Sequence, residues 1–229
     1  MEHGAGSLHL ARQHALKTVL FTLFAGALAT TTTTVTAQIQ FPVAGPTPKL
    51  GEIVKYRQTD LWNNTELSTN ESELVEIEAA NFVIRFKSSI NPQPVTIRAD
   101  RSWNFCRSMQ NSDKPVCDGQ YKFPTQVGNK HGYEKQPFPN GLGYQGASCE
   151  VKAEEKVTVP AGTFDTLRIT CSGFYNRVFD GNWSGKFNNI SWYAPSIGRM
   201  VKFQYFDFNP NGAAFNKQQT ELTEFIPGK

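Results

Sequence analysis

Beyond residue 50 the chain alternates apolar and polar side chains in short runs, separated by clusters of Asn, Ser, Pro and Gly. Residues 51–60, 73–79, 82–87 and 95–99 carry β-branched or aromatic side chains at alternate positions, the period of a strand with one buried face. Residues 189–193 and 199–206 predict another strand pair, reversing at Ala194-Pro195-Ser196-Ile197-Gly198, where Pro and Gly suit a tight turn. A last strand over 218–226 follows the turn Asn209-Pro210-Asn211-Gly212. No segment shows the period of an amphipathic helix. Strands in succession without crossover helices predict an all-β antiparallel fold, either a sandwich or a curved half-barrel.

The segment 149–171 gives the sharpest local prediction. Cys149, Val151, Ala153, Val157 and Val159 share one parity before Pro160-Ala161-Gly162, and Leu167, Ile169 and Cys171 share it afterwards. Two odd-numbered faces can oppose each other only when paired positions sum to an even number. That excludes a simple two-residue turn and requires a three-residue loop or a bulge. A loop centred on Ala161 sets Cys149 opposite Gly173, one same-face position from Cys171, with strand twist closing the gap. Glu155 interrupts the apolar face, which places it near the sheet edge.

The first 37 residues have the form of a secretory signal. Arg12 and Lys17 end a cationic lead, residues 19–28 form an apolar core, and Val35-Thr36-Ala37 fits a small-residue cleavage site. The core is about half the roughly 20 residues a spanning helix needs. Cleavage would start the mature chain at Gln38, and no cysteine follows the apolar core to carry a lipid anchor. A soluble periplasmic or secreted product, with no transmembrane segment after cleavage, is the expectation. Pro42, Pro46 and Pro48 predict an extended leader over 38–50. Residues 51–229 then suit one β domain.

All four cysteines, Cys106, Cys117, Cys149 and Cys171, lie in the exported part. An even number in an oxidising compartment predicts two disulfides, and of the possible pairings the two local ones, Cys106 with Cys117 and Cys149 with Cys171, are expected. No Cys-x-x-Cys spacing points to metal. Between residues 106 and 146 the abundance of Gly, Pro and Asn predicts a long loop region with short strands.

The segments "VTVPAGTFDTLRI" (157–169), "WYAPSIGRMVKFQY" (192–205), "TELTEF" (220–225) and the opening "GEIVKYRQTD" (51–60) resemble those of the TapB-like group of exported bacterial proteins. The resemblance spans about residues 51–226. It implies an all-β envelope protein of unassigned function and no catalytic residues, since the shared motifs are turns and strand alternations.

Charge and chemistry narrow the picture further. The chain carries a net charge of +3, and loss of Arg12, Lys17 and Glu2 leaves +2. Neither a nucleic-acid stripe nor a polybasic membrane patch is present. His131 is the only histidine beyond the signal and reads as a solvated loop residue, with no nucleophile elbow to serve. Residues 181–186 superficially resemble a phosphate loop, but the spacing before Gly185-Lys186 is one short and Phe187 replaces the hydroxyl. Asp207-Phe208-Asn209-Pro210-Asn211-Gly212 has the opening of a calcium loop, yet Gln218 stands where the closing glutamate belongs. No metal or cofactor is expected. Asp165, Asp180, Glu154 and Glu155 are the carboxylates available to a glycosidase-type mechanism.

Aromatic content points elsewhere. The chain holds 17 Phe, seven Tyr and four Trp: Trp62, Trp103, Trp183 and Trp192. Such rings fill β cores, line apolar cavities or stack on sugars. Phe174, Tyr175, Phe179, Trp183 and Phe187 cluster in a Gly- and Asn-rich stretch, a candidate ligand site at a sheet mouth. The sequence therefore predicts a non-enzymatic envelope protein binding a lipid, a glycan or another envelope protein on the concave face of a sheet. The alternatives are a carboxylate-dependent hydrolase of envelope polysaccharide and a structural assembly component.

Overall fold

A computed structural model describes residues 39–109, 112–178 and 182–229; the secretory signal read at residues 1–37 lies outside them. The described chain forms twelve strands. They are β1 (Ile53–Asp60), β2 (Glu66–Ile77), β3 (Asn81–Ser88), β4 (Val95–Asp100), β5 (Phe105–Met109) and β6 (Ser112–Cys117), then β7 (Lys130–Pro137), β8 (Gly143–Val159), β9 (Gly162–Arg177), β10 (Trp183–Ala194), β11 (Arg199–Phe208) and β12 (Ala214–Ile226). All belong to one antiparallel sheet in the order β6-β5-β4-β3-β2-β1-β12-β11-β10-β9-β8-β7. Two meanders thus meet where β1 pairs with β12, and the sheet curls into a nearly closed barrel. The predicted all-β antiparallel fold is present.

The open seam lies between β6 and β7. The Gln136 side-chain amide donates to the Cys117 carbonyl across it, and His131 Nε2 lies 2.9 Å from the Gln120 carbonyl oxygen. This corrects two readings. His131 sits at the start of β7, half-buried and opposite Cys149, rather than in a solvated loop. The region 106–146 contains β5, β6, β7 and the start of β8, leaving residues 118–129 as its long connection. Proline signalled loop there, but β6 and β7 are the sheet's edges, where Pro115 and Pro137 remove no ladder bond that the fold needs.

Both expected disulfides, Cys106–Cys117 and Cys149–Cys171, are formed. The second is reached differently from the sequence prediction. The turn between β8 and β9 is a two-residue one, since Val159 pairs with Gly162, and a bulge between Val151 and Ala153 then shifts the register. Cys149 consequently faces Cys171 directly, not Gly173. The bulge also reverses the strand. Cys149 and Val151 pack with Leu167, Ile169, Cys171 and Tyr193, while Val157 and Val159 join Trp192, Val201, Leu222 and Val54 in another cluster. Glu155, on the same side as Val157, is explained by the reversal and not by a sheet edge: its carboxylate accepts the Trp192 indole N–H.

A further cluster, Leu74, Phe82, Ile84 and Ala99, fills the β2–β4 wall. The segment 39–50 lies along the domain. Val43 is buried in the first cluster, and its backbone exchanges hydrogen bonds of 2.8 and 2.9 Å with Thr125.

Candidate functional site

Strand alternation sends one set of side chains from each strand to the inside of the curl, and register aligns them. Tyr56 lies opposite Asn70, Val54 opposite Ser72, Ser72 opposite Phe86, and Phe203 opposite Thr220. Rings therefore stand beside the short side chains Ser72 and Thr220, and the space left between them is a cavity of about 340 Å³. Its walls are mainly Val54, Tyr56, Ile84, Phe86, Trp103, Phe105, Tyr121, Met200 and Phe203.

Two features hold the inner end. Trp103 adopts φ 67°, a left-handed conformation that costs a tryptophan roughly 1 kcal/mol or more. Asp100 holds this turn, its carbonyl accepting the Trp103 N–H at 2.9 Å and its carboxylate the N–H groups of Ser102 and Asn104 at 2.8 and 2.9 Å. The Trp103 ring lies 4.6 Å from Phe82 and carries the Arg199 guanidinium on its face. Arg199 is ion-paired with Glu52, and both are almost wholly buried. Burial raises the Glu52 pKa, which Arg199 only partly offsets, and burial likewise lowers that of Arg199.

Residues 118–129 supply the second feature by running inside the seam. The Tyr121 N–H donates to Asn104 Oδ1 at 2.8 Å, and its hydroxyl is hydrogen-bonded to Ser191. Burial pushes the Tyr121 phenol up to about 12. Tyr56 donates its hydroxyl to the Met200 carbonyl at 2.8 Å.

A smaller compartment of about 190 Å³ adjoins the cavity and shares Asp118, Gln120 and Phe203 with it. Arg107, Tyr133, Tyr175, Arg177, Asn189 and Tyr205 give it a polar wall. Asp118 is ion-paired with Arg107, yet burial still raises its pKa. Burial, reinforced by the nearby Asp118, takes the Tyr133 phenol up to about 12. The neighbouring Asp207 accepts the hydroxyls of Tyr175 at 3.0 Å and Tyr205 at 3.2 Å, and burial raises its pKa as well.

The structure separates the aromatic residues singled out in the sequence. Tyr175 and Phe187 line the polar compartment, where Phe187 stacks on Tyr205 with ring centroids 6.2 Å apart, and the exposed Trp183 is tied to them through its indole, which donates to the Tyr175 hydroxyl at 3.2 Å. Phe174, on the opposite parity of β9, faces outward and meets Tyr144 edge-on. Phe179 lies outside the described residues. The stretch is mostly the facing strands β9 and β10 rather than a loop. Its glycines serve packing. A Cβ on Gly185 would sit 2.4 Å from the Tyr175 hydroxyl, and one on Gly173 would sit 2.3 Å from the Phe187 ring.

The candidate carboxylates are engaged elsewhere. Asp165 is paired with Lys156 at 2.6 Å on the exposed hairpin. Glu155 holds Trp192 and lies 3.7 Å from Arg168, whereas Glu154, next along the strand, projects from the other face. Asp180 lies outside the described residues. In the calcium-like turn, Asn209 Oδ1 accepts the Ala213 N–H at 2.9 Å, while Asp207 points to the two tyrosines. Among the described residues no group of three His, Cys, Asp or Glu side chains is placed to hold a metal.

The cavity residues Tyr56, Trp103, Tyr121, Met200 and Phe203 were not singled out from the sequence. Their parity was readable, but only the β1–β12 pairing brings Tyr56 and Phe203 to one wall.

The fold is shared with a Parabacteroides distasonis protein provisionally classed as a lipoprotein, at TM-score 0.51 and 14% identity, with 82% of this chain and 100% of that one covered. Two further structures align less closely. An exported protein of Bacteroides fragilis with YmcC-like fold gives TM-score 0.45 at 14% identity over 80% of this chain and 99% of its own. The hypothetical lipoprotein YmcC of Escherichia coli gives 0.40 at 12% over 84% and 92%. No protein-family model matches the sequence, and no curated protein does.

Proposed function

We propose that this chain is a non-enzymatic protein of the bacterial envelope, periplasmic or secreted, that holds an apolar or amphipathic ligand inside its curled sheet. The observation that carries the reading is the cavity of about 340 Å³ walled by Tyr56, Phe86, Trp103, Phe105, Tyr121 and Phe203. Protein interiors pack to crystal density and leave few voids larger than a water molecule. Ligand pockets, by contrast, run from about 300 to 1,000 Å³ and are mainly apolar with a few polar groups. The two disulfides agree with export. The lipoprotein classification of the Parabacteroides protein is in keeping with an envelope setting, as is the resemblance to the TapB-like group. The hydrolase alternative has less support, because Asp165 and Glu155 are each tied to a neighbouring side chain.

Titration with the neutral dye N-phenyl-1-naphthylamine tests this reading. Its fluorescence should rise saturably with the wild-type protein. Binding should weaken at least tenfold when Thr220→Phe or Ser72→Phe fills the cavity with the circular dichroism spectrum retained. No saturable rise in the wild type, or equal binding by correctly folded filled variants, would refute the reading.

A further inference from the structure

Beside its rings, the wall of the 340 Å³ cavity carries Asn70, Ser72, Asn104, Gln120 and Thr220, all uncharged. Asp118 is the one charged side chain that lines it among the described residues, and Arg107 is ion-paired with it. Some of the neutral groups are engaged. The Asn104 amide donates to Asp100 Oδ2 at 3.0 Å and to the Tyr121 carbonyl at 2.9 Å, and Gln120 donates to the Tyr121 hydroxyl at 3.1 Å. The half-buried side chains of Asn70, Ser72 and Thr220 have no hydrogen-bond partner among the described residues. Register explains why. Asn70 stands opposite Tyr56, Ser72 opposite Phe86 and Thr220 opposite Phe203, so each faces a ring across the ladder, and the Tyr56 hydroxyl is given to the Met200 carbonyl. The next inward residue of β1, Gln58, accepts from Ser68 at 3.1 Å and donates to Gln218 at 2.7 Å, and so serves none of the three.

We infer that the occupant is an uncharged amphiphile with a hydroxyl-bearing head, its apolar body against the rings and its head against Asn70, Ser72 and Thr220. The inference rests on the carrier reading above and adds the head-group class. An amide and two hydroxyls both donate and accept, as does a hydroxyl head, which can therefore satisfy any of them. A wholly apolar occupant would displace the water on these groups and leave them unpaired, at the full cost of their desolvation. A charged head would meet no free opposite charge in this wall, because Asp118 is already paired.

The test compares 1-decanoylglycerol, methyl decanoate and decanoate, equal tails with diol, apolar and anionic ends, as competitors of N-phenyl-1-naphthylamine at pH 8 on protein expressed from the full-length chain. Decanoylglycerol should displace the dye at least tenfold more tightly than decanoate. Its affinity relative to methyl decanoate should fall about fivefold in Asn70→Leu combined with Thr220→Val, the size expected of one or two neutral hydrogen bonds. Thr220→Val alone, which keeps the shape of the side chain, should lower that ratio about twofold and reads it should the double variant not fold. Decanoate binding as tightly as decanoylglycerol, or a ratio unmoved in the folded variants, would overturn the head-group assignment and leave the carrier reading intact. Failure of all three competitors, with no saturable dye binding, would overturn the carrier reading and this inference with it.

Discussion

Arg199 lies with its guanidinium carbon 3.4 Å from the centroid of the Trp103 ring, so that a buried cation caps the ring that closes the inner end of the cavity. Glu52 neutralises it from the start of the domain. The cavity's shape therefore depends on an ion pair formed by residues 147 positions apart in sequence.

Removing one member of that pair leaves the other buried and uncompensated. Arg199→Met should destabilise the protein by about 3–5 kcal/mol in urea denaturation. Combining it with Glu52→Leu should recover most of that loss, because an apolar pair of similar volume removes the desolvation cost. A single variant as stable as wild type would show that the pair does not support the site.

Burial raises the pKa of Glu52, Asp118 and Asp207 alike. Each folded value lies above the unfolded one, so the native state keeps protons that the unfolded chain has released. The contribution of these groups to stability is greatest at the acid end and falls as pH rises from the ordinary carboxylate range through the raised values. Urea denaturation between about pH 4 and about pH 8 should show that decline. Asp207→Asn should flatten it, and an unaltered slope would mean that Asp207 does not titrate there.

The disulfide between Cys149 and Cys171 closes 22 residues and joins strands buried in the core. Cys149→Ala with Cys171→Ala should cost about 3 kcal/mol. Non-reducing peptide mapping of the wild type should recover Cys106 with Cys117 and Cys149 with Cys171. Crossed pairs would contradict the β8–β9 register.

Asp165 and Glu154 lie on the exposed part of the β8–β9 hairpin, away from the residues that wall the cavity. Asp165→Ala and Glu154→Ala should alter stability by no more than about 0.5 kcal/mol and leave dye binding unchanged. A tenfold loss of binding with the fold retained would move the site to the hairpin.

Much of the fold was legible because a two-residue period survives wherever one face of a strand is buried. The 51–60 and 199–206 strands, the Ala194–Gly198 reversal and both cysteine pairs follow from pattern and compartment alone. The Val151–Ala153 bulge was not legible as such. Parity demanded an irregularity between Cys149 and Cys171 but did not say whether it lay in the turn or the strand, and the choice decides which face Glu155, Val157 and Val159 occupy. The site was less legible still. Tyr175 and Phe187 stood out because they are crowded in sequence, whereas Tyr56, Trp103, Tyr121 and Phe203 are scattered over 148 positions and meet only when the sheet curls.

Whether the curled sheet carries a ligand is read by native mass spectrometry of the protein purified from the cells that make it, before and after denaturation with solvent extraction. An adduct should appear in the native spectrum, be lost on denaturation and be recovered in the extract as an apolar or amphipathic molecule. A bare native mass, with nothing recovered in the extract, would contradict the carrier reading.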